Sequence, residues 1–180
     1  MSRGMYALSY LADAAVDAAL DHALRELLTP CFTEPEDHVF RTQRFFREPA
    51  AHRWLVRDDA GVLVAQTALH DKVVTSGEAR LAIGGVAEVC VAPDHRRRGL
   101  VTQMLAAIDE LLRERGIPLA LLFGDPEVYR SSGYRPAGNL LHRDAAGDPR
   151  SWMVSDGGMY KELVPGSWPS APVYLDGPTF

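Results

Sequence analysis

The spacing of apolar positions changes several times along the chain, and each change marks an element. Tyr6 to Leu11 predicts a short strand, and Val16, Leu20, Leu24, Leu27 and Leu28 then recur at helical spacing. Thr29 to Asp37, rich in Pro, Thr and acidic residues, breaks that helix, and His38 to Arg47 predicts a second, shorter one. Trp54 to Arg57 and Val62 to His70 alternate or are β-branched, and Asp58, Asp59, Ala60 and Gly61 between them read as a hairpin turn. A third antiparallel strand is expected around Ala79 to Ile83. Val86 to Val91, apolar apart from Glu88, reads as a strand covered on both faces, ending at Pro93.

From Gly99 the period becomes helical. Leu100, Met104, Ile108 and Leu111 form one stripe, with Val101, Leu105 and Leu112 beside it. Gly116 is placed to end this helix, with Arg113 and Arg115 near its negative end and Pro118 beyond. Leu119 to Phe123 is another buried strand. Strand, helix, strand is a βαβ unit, whose right-handed crossover makes the two strands parallel. A short helix carrying Tyr129 is expected after Pro126, closed by Gly133, and Gly138 to Arg150 reads as loop. Met159 to Val164 predicts the last strand. In the Pro- and Gly-rich tail beyond it, Trp168, Val173, Tyr174 and Leu175 point to packing.

Composition narrows the class. A chain of 180 residues, 47% hydrophobic and 24% charged, has the length of one domain with a substantial core. Cys31 and Cys90 stand far apart without a CxxC spacing, so neither a disulfide framework nor a zinc site is expected, and a reducing, cytoplasmic compartment fits. The six histidines show no metal spacing. Asp13, Asp17 and Asp21 interrupt the apolar N-terminal stretch, so no membrane span is expected. The formal charge of −5 argues against a general nucleic-acid binder and is compatible with a cationic acceptor.

The most informative stretch is the strand-to-helix junction Val89-Cys90-Val91-Ala92-Pro93-Asp94-His95-Arg96-Arg97-Arg98-Gly99-Leu100-Val101-Thr102. Its chemistry is anion binding. A glycine where a loop enters a helix lets backbone approach a phosphate, the first-turn amides lack helical partners, and three arginines add charge.

This segment resembles the pyrophosphate-binding motif of the GNAT superfamily of N-acetyltransferases: Arg or Gln, two residues, Gly, any residue, then Gly or Ala. Arg96 and Gly99 match it, and Val101 departs from it. Among relatives the match is nearest to the enhanced-intracellular-survival acetyltransferases, which modify aminoglycosides and other amines, and the aminoglycoside 2'-N-acetyltransferases also carry valine where Val101 stands. Tyr129-Arg130-Ser131-Ser132-Gly133-Tyr134 resembles the family's Tyr, three residues, Gly, aromatic signature, whose tyrosine reaches the sulfur of CoA. The asparagine that many members carry after the fifth strand is missing, so either Gly124 and Asp125 serve in its place or that contact is absent.

The resemblance implies an α/β (α+β) GNAT fold over residues 1–180, with a mixed central sheet of about six to seven strands flanked by helices. It also implies an acetyl-CoA co-substrate without a metal. Val89, Cys90, Val91, Arg96, Arg97, Arg98, Gly99, Leu100, Val101, Thr102, Gly124 and Asp125 would bind the cofactor. Direct transfer to an amine needs an oxyanion donor, a proton for the leaving thiolate and a base. The first falls to a backbone amide in Val89 to Val91. The general acid is Tyr129, a phenol of reference pKa about 10 facing a thiolate whose acid lies near about 8.5.

Two carboxylates compete as base: Glu88, a charge inside an apolar strand, and the terminal carboxylate of Phe180. Glu88 could equally be a structural partner of an arginine such as Arg80. In the enhanced-intracellular-survival enzymes a C-terminal carboxylate enters the active site, which motivates Phe180 and places the tail 164–180 near the acceptor cleft. Glu34, Glu36 and Asp37 match the loop that lines that cleft in related enzymes. The acceptor is expected to be a small-molecule amine, aminoglycoside-like, with no nucleic-acid or membrane partner, and a homodimer is compatible with the sequence. Trp168-Pro169 and Asp176-Gly177-Pro178 also resemble the tail of nodulation acyltransferases, which keeps a longer acyl donor open as an alternative, beside a non-catalytic CoA-sensing domain.

Overall fold

The computed structural model describes residues 5–143 and 151–180. Backbone contacts divide the chain into two compact units, residues 1–69 with 87–105, and residues 70–86 with 106–180.

The first unit begins with β1 (Ala7–Ala12), a 3-10 turn at Asp13–Ala15 and α1 (Ala18–Leu28). Asp17 caps α1, accepting from the Leu20 amide at 2.8 Å. A 3-10 turn at Pro35–Arg41 stands where a helix over His38 to Arg47 was expected. It starts earlier because Pro35 fits a first helical position and Asp37 accepts from the Glu34 amide at 3.1 Å. β1 pairs antiparallel with β2 (His52–Arg57), and β2 with β3 (Leu63–Ser76). The last part of β4 (Ala79–Val91) completes the unit, followed by the start of α2 (Leu100–Glu114).

Consecutive strand residues point to opposite faces, and the core shows it. Leu55, Leu63 and Cys90 join Leu24, Leu27 and Leu28 of α1 and Phe40 in one cluster. Their neighbours Val56, Val64 and Val91 join Leu100 and Met104 of α2 in another. Each face of these strands is therefore sealed by one helix, which is why Val86 to Val91 is nearly continuous in apolar residues.

In the second unit β4 runs parallel to β5 (Leu119–Phe123), with Ile83 to Val86 opposite Leu119 to Leu122, as the βαβ reading requires. α2 ends at a left-handed Gly116 (φ 67°) with the Ile117 amide bonded to the Leu112 carbonyl at 2.8 Å. α3 (Pro126–Tyr129), β6 (Arg135–Pro136), β7 (Leu140–His142), β8 (Met153–Val154), β9 (Gly158–Glu162) and β10 (Val173–Leu175) follow. The strand order is β6, β9, β5, β4, β3, β10, β7, β8.

Ten strands among the described residues exceed the six to seven expected, and the excess has identifiable causes. Leu140–His142 falls in a stretch read as loop; it is a strand because β10 pairs with it in parallel. The remainder of that stretch, from residue 144 to 150, lies outside the described residues. Gly84 and Gly85, which separated two expected strands, sit inside one continuous β4.

Gly85 is there for room. A Cβ on it would lie 2.6 Å from the Phe180 ring, which stacks on His70 (centroids 5.6 Å) and meets Phe123 edge-on (5.4 Å). The tail is further fixed by Trp168, stacked on Tyr160 at 4.3 Å and donating its indole N–H to Asn139 at 2.9 Å. Gly85→Ala is expected to destabilise by about 1–3 kcal/mol through overpacking. In a Phe180→Ala background most of that cost should vanish in denaturant titrations; an equal cost in both backgrounds would disprove the contact.

Candidate functional site

The first unit contains the loop from Pro93 to Leu100 and a buried charge network. Between Pro93 and Leu100 the backbone turns left-handed twice, at Arg97 (φ 59°) and Gly99 (φ 78°). The second demands glycine for conformation alone, because a Cβ built on Gly99 would meet nothing within 4 Å. The space above the loop is open, and Gly99 leads directly into α2, its carbonyl accepting from the Gln103 amide at 3.0 Å. Arg96, Arg97, Arg98 and Gly99 are exposed, whereas Leu100 is buried as the helix's first anchor. Two of the arginines are tethered: Arg96 Nε donates to the Val91 carbonyl at 3.2 Å, and Arg98 donates to the Asp94 carbonyl at 3.1 Å. Arg98 also lies 6.0 Å above the Tyr6 ring. Val101 is half-buried beside the cluster that holds Val91 and Leu100, so its extra bulk is absorbed by packing. Thr102 is exposed on the helix's first turn. The loop thus offers exposed guanidinium groups and a left-handed backbone at a helix N-terminus, the chemistry of a phosphate cradle.

Glu88 stands three residues before the end of β4 in a left-handed conformation (φ 53°), unusual for a side chain with a Cβ. Its side chain is 4% exposed and its partner is Arg53, 0% exposed. Arg80, the partner considered from sequence, is exposed and far along the strand. Glu88 Oε1 accepts from the Phe46 amide at 3.0 Å, and Oε2 lies 3.3 Å from both Nη1 and Nη2 of Arg53. Arg53 is fully used: Nε donates to Asp13 at 2.8 Å, Nη1 also to Gln66, and Nη2 also to the Arg44 carbonyl at 3.3 Å. Gln66 in turn donates to the Glu88 carbonyl. Asp13 is shared with Arg44 at 2.7 Å, Arg44 reaches Asp21 at 3.0 Å, and Asp21 reaches Arg25 at 2.9 Å.

Charges therefore alternate from the buried Glu88 to the surface at Arg25. Burial pushes the Glu88 carboxyl up to about 7, against the pull of Arg53 and the Phe46 amide, because Arg53 divides its charge between two carboxylates. Asp13 moves the other way. Burial opposes its ionisation, but Arg44 and Arg53 together hold it below the usual carboxylate range.

Sequence reasoning missed Arg53, Asp13, Arg44 and Gln66. For Gln66 a signal was present, since like Glu88 it is a polar residue inside an apolar strand, whereas Arg53 lies just before the strand expected from Trp54 to Arg57. Glu34 and Glu36 are exposed, and Asp37 is half-buried and occupied in capping.

The second unit carries the tyrosine. Asp125 caps α3, accepting from the Glu127 amide at 2.9 Å, and Gly133 (φ 89°) ends the turn that follows. Tyr129 is the last residue of α3, half-buried, with its ring lying where a Cβ on Gly124 would be, 2.5 Å from the nearest ring carbon. Its ring also meets that of Tyr134 edge-on at 6.2 Å. The Gly124 amide is already bonded to the Gly157 carbonyl at 2.9 Å. Gly124 thus serves Tyr129 by lacking a side chain, and Asp125 by fixing the helix start. Phe180 belongs to this unit, its ring in the cluster around Ile83 and Leu121.

A family model described as an acetyltransferase (GNAT) domain matches residues 15–137. The chain belongs to the GNAT acetyltransferase family. It is 36% identical over 91 residues to N-acetyltransferase Eis of Mycobacterium tuberculosis and 34% identical over 98 residues to an uncharacterised N-acetyltransferase of Streptomyces griseus. These matches cover 48% and 51% of this chain but 23% of each relative, so the chain spans less than a quarter of their length. Among solved structures, the GNAT family N-acetyltransferase YhbS of Escherichia coli, in complex with CoA, superposes with a TM-score of 0.67 at 19% identity, covering 97% of this chain and 89% of that one. ElaA of Escherichia coli gives 0.60 at 15% identity, with 88% and 100% covered. These likenesses establish the GNAT fold.

Proposed function

We propose that this chain transfers an acetyl group from acetyl-CoA to the amine of a small cationic molecule, as a single GNAT domain. The observation that carries the reading is the loop Arg96 to Gly99, with its left-handed backbone, open space above Gly99 and exposed guanidinium groups in a chain of this family. The diphosphate of CoA would accept from Arg96, Arg97, Arg98 and the first amides of α2, with Val89, Cys90 and Val91 along the pantetheine. The bound CoA of YhbS supports the assignment at the level of the fold.

In the proposed reaction the amine nitrogen attacks the thioester carbon, and an amide of Val89 to Val91 stabilises the oxyanion. The C–S bond breaks and the thiolate takes its proton from Tyr129. Glu88, buried, accepts the proton lost by the amine through water. The competing base is the terminal carboxylate of Phe180, which adding one residue after Phe180 would disable. Glu34, Glu36 and Asp37 would attract the cationic acceptor, an aminoglycoside or a polyamine, and the free thiols fit a cytoplasmic setting.

Release of free CoA thiol across aminoglycosides, polyamines, amino acids and peptides tests the reading. Turnover with at least one amine is expected, and none with any of them would reject it. The pH profile tests the base. Because burial raises Glu88 to about 7, kcat/KM should climb as pH rises through about 7, and Glu88→Gln should remove that limb. Stability runs oppositely: a raised carboxyl favours the folded state when protonated, so the contribution is full below the unfolded value of 4.5 and is lost as pH rises through about 7. Glu88→Gln should flatten that slope in thermal melts. An acid limb retained in Glu88→Gln would remove Glu88 as the base.

A further inference from the structure

We propose that Cys31 and Cys90 form a redox-modifiable dithiol whose oxidation to a disulfide loosens Arg96 and weakens the anion-binding loop. Nothing in the sequence joins the two: Cys31 follows α1, and Cys90 lies one residue before the end of β4. The fold packs Cys31 against the core cluster that holds Cys90. The Cys31 thiol lies 3.5 Å from the carbonyl of Val91, the residue after Cys90, and the same carbonyl accepts from Arg96 Nε at 3.2 Å. Three groups thus converge: a half-buried thiol, a buried thiol and the first arginine of the loop.

The two thiols are unlike. The contact with Cys90 lowers Cys31 to about 6; burial opposes this, and the Arg96 guanidinium assists it. Burial, reinforced by the partner, pushes Cys90 up. One sulfur is therefore the attacking thiolate and the other the resolving thiol.

With hydrogen peroxide as oxidant, the Cys31 thiolate attacks one peroxide oxygen, the O–O bond breaks and hydroxide leaves, giving a sulfenic acid. The Cys90 sulfur then attacks the Cys31 sulfur, the S–O bond breaks and water leaves. The two thiols lose two electrons and two protons in total, and the peroxide becomes two waters. Afterwards no thiolate remains to hold Arg96 by charge.

The consequence for binding rests on the reading of Arg96 as a CoA ligand; the dithiol does not. The test treats the full chain with hydrogen peroxide, follows intact mass and free thiols, and measures CoA affinity by calorimetry before oxidation, after it, and after dithiothreitol. A mass decrease of two hydrogens, restored by dithiothreitol and absent in Cys31→Ser and Cys90→Ser, is expected. CoA affinity should fall about tenfold, the scale of one charge-assisted phosphate contact, and recover on reduction. Added oxygen on Cys31 with Cys90 still titrating as a thiol would overturn the dithiol. A disulfide that leaves CoA affinity unchanged would overturn its coupling to the loop. A reduced protein that forms the disulfide yet does not bind CoA would overturn the ligand reading of Arg96 and uphold the dithiol.

Discussion

Replacing Arg53 by Met is expected to cost about 3–5 kcal/mol of folding stability, the scale of breaking a buried ion pair from one side. The size follows from what Arg53 serves. Its donors satisfy Asp13, Gln66, Glu88 and the Arg44 carbonyl, and it is 0% exposed, so water cannot take its place. The two carboxylates respond differently. Asp13 keeps Arg44 at 2.7 Å and remains charged. Glu88 keeps only the Phe46 amide and escapes the penalty by holding a proton. Since Arg53 pulls the Glu88 carboxyl down, its loss moves that group further above about 7. The deficit of Arg53→Met should therefore widen as pH rises from about 6 to about 9, and Glu88→Gln in the same chain should remove the widening. Urea titrations of the four chains, wild type, both single variants and the double, provide the cycle. A deficit under 1 kcal/mol, or one independent of pH, would show that Arg53 does not compensate Glu88.

The same network shows which parts of the molecule a sequence reveals. The loop around Gly99 and the turn at Gly133 were legible because each rests on local backbone demand: both glycines have positive φ, 78° and 89°. The crossover from β4 to β5 was legible because the periods of the strand and helix differ sharply. Arg53 and Glu88 lie on different strands, and whether they meet is set by the β2–β3 register and the neighbouring β4, which no local pattern encodes. Glu88 alone therefore suggested a base or an ion pair with an arginine such as Arg80, and the arginine it meets is Arg53. The contact of Cys31 with Cys90 was hidden for the same reason. Gly84 and Gly85 misled in the opposite direction. They have the composition of a break, yet at Gly85 the requirement is space for an aromatic ring arriving from the end of the chain.

Tyr129→Phe is expected to lower kcat about 10²–10³-fold, within the range of a positioned proton donor, while CoA affinity stays near wild type. The phenylalanine keeps the ring where Gly124 leaves room and loses only the hydroxyl. Gly124→Ala is the converse probe. Its methyl would fall 2.5 Å from a Tyr129 ring carbon, so the ring must turn away while the hydroxyl is retained, and kcat should fall again. The two variants separate chemistry from placement through the leaving group. A thiolate that departs poorly needs a proton more than one that departs well, so the Tyr129→Phe deficit should shrink with an acetyl thioester of a more acidic thiol. The Gly124→Ala deficit should retain a residual part there, because a displaced ring also disturbs binding. If the Tyr129→Phe deficit were the same with both thioesters, the hydroxyl would be acting through position and not by giving its proton, and general-acid catalysis would have to be assigned to solvent.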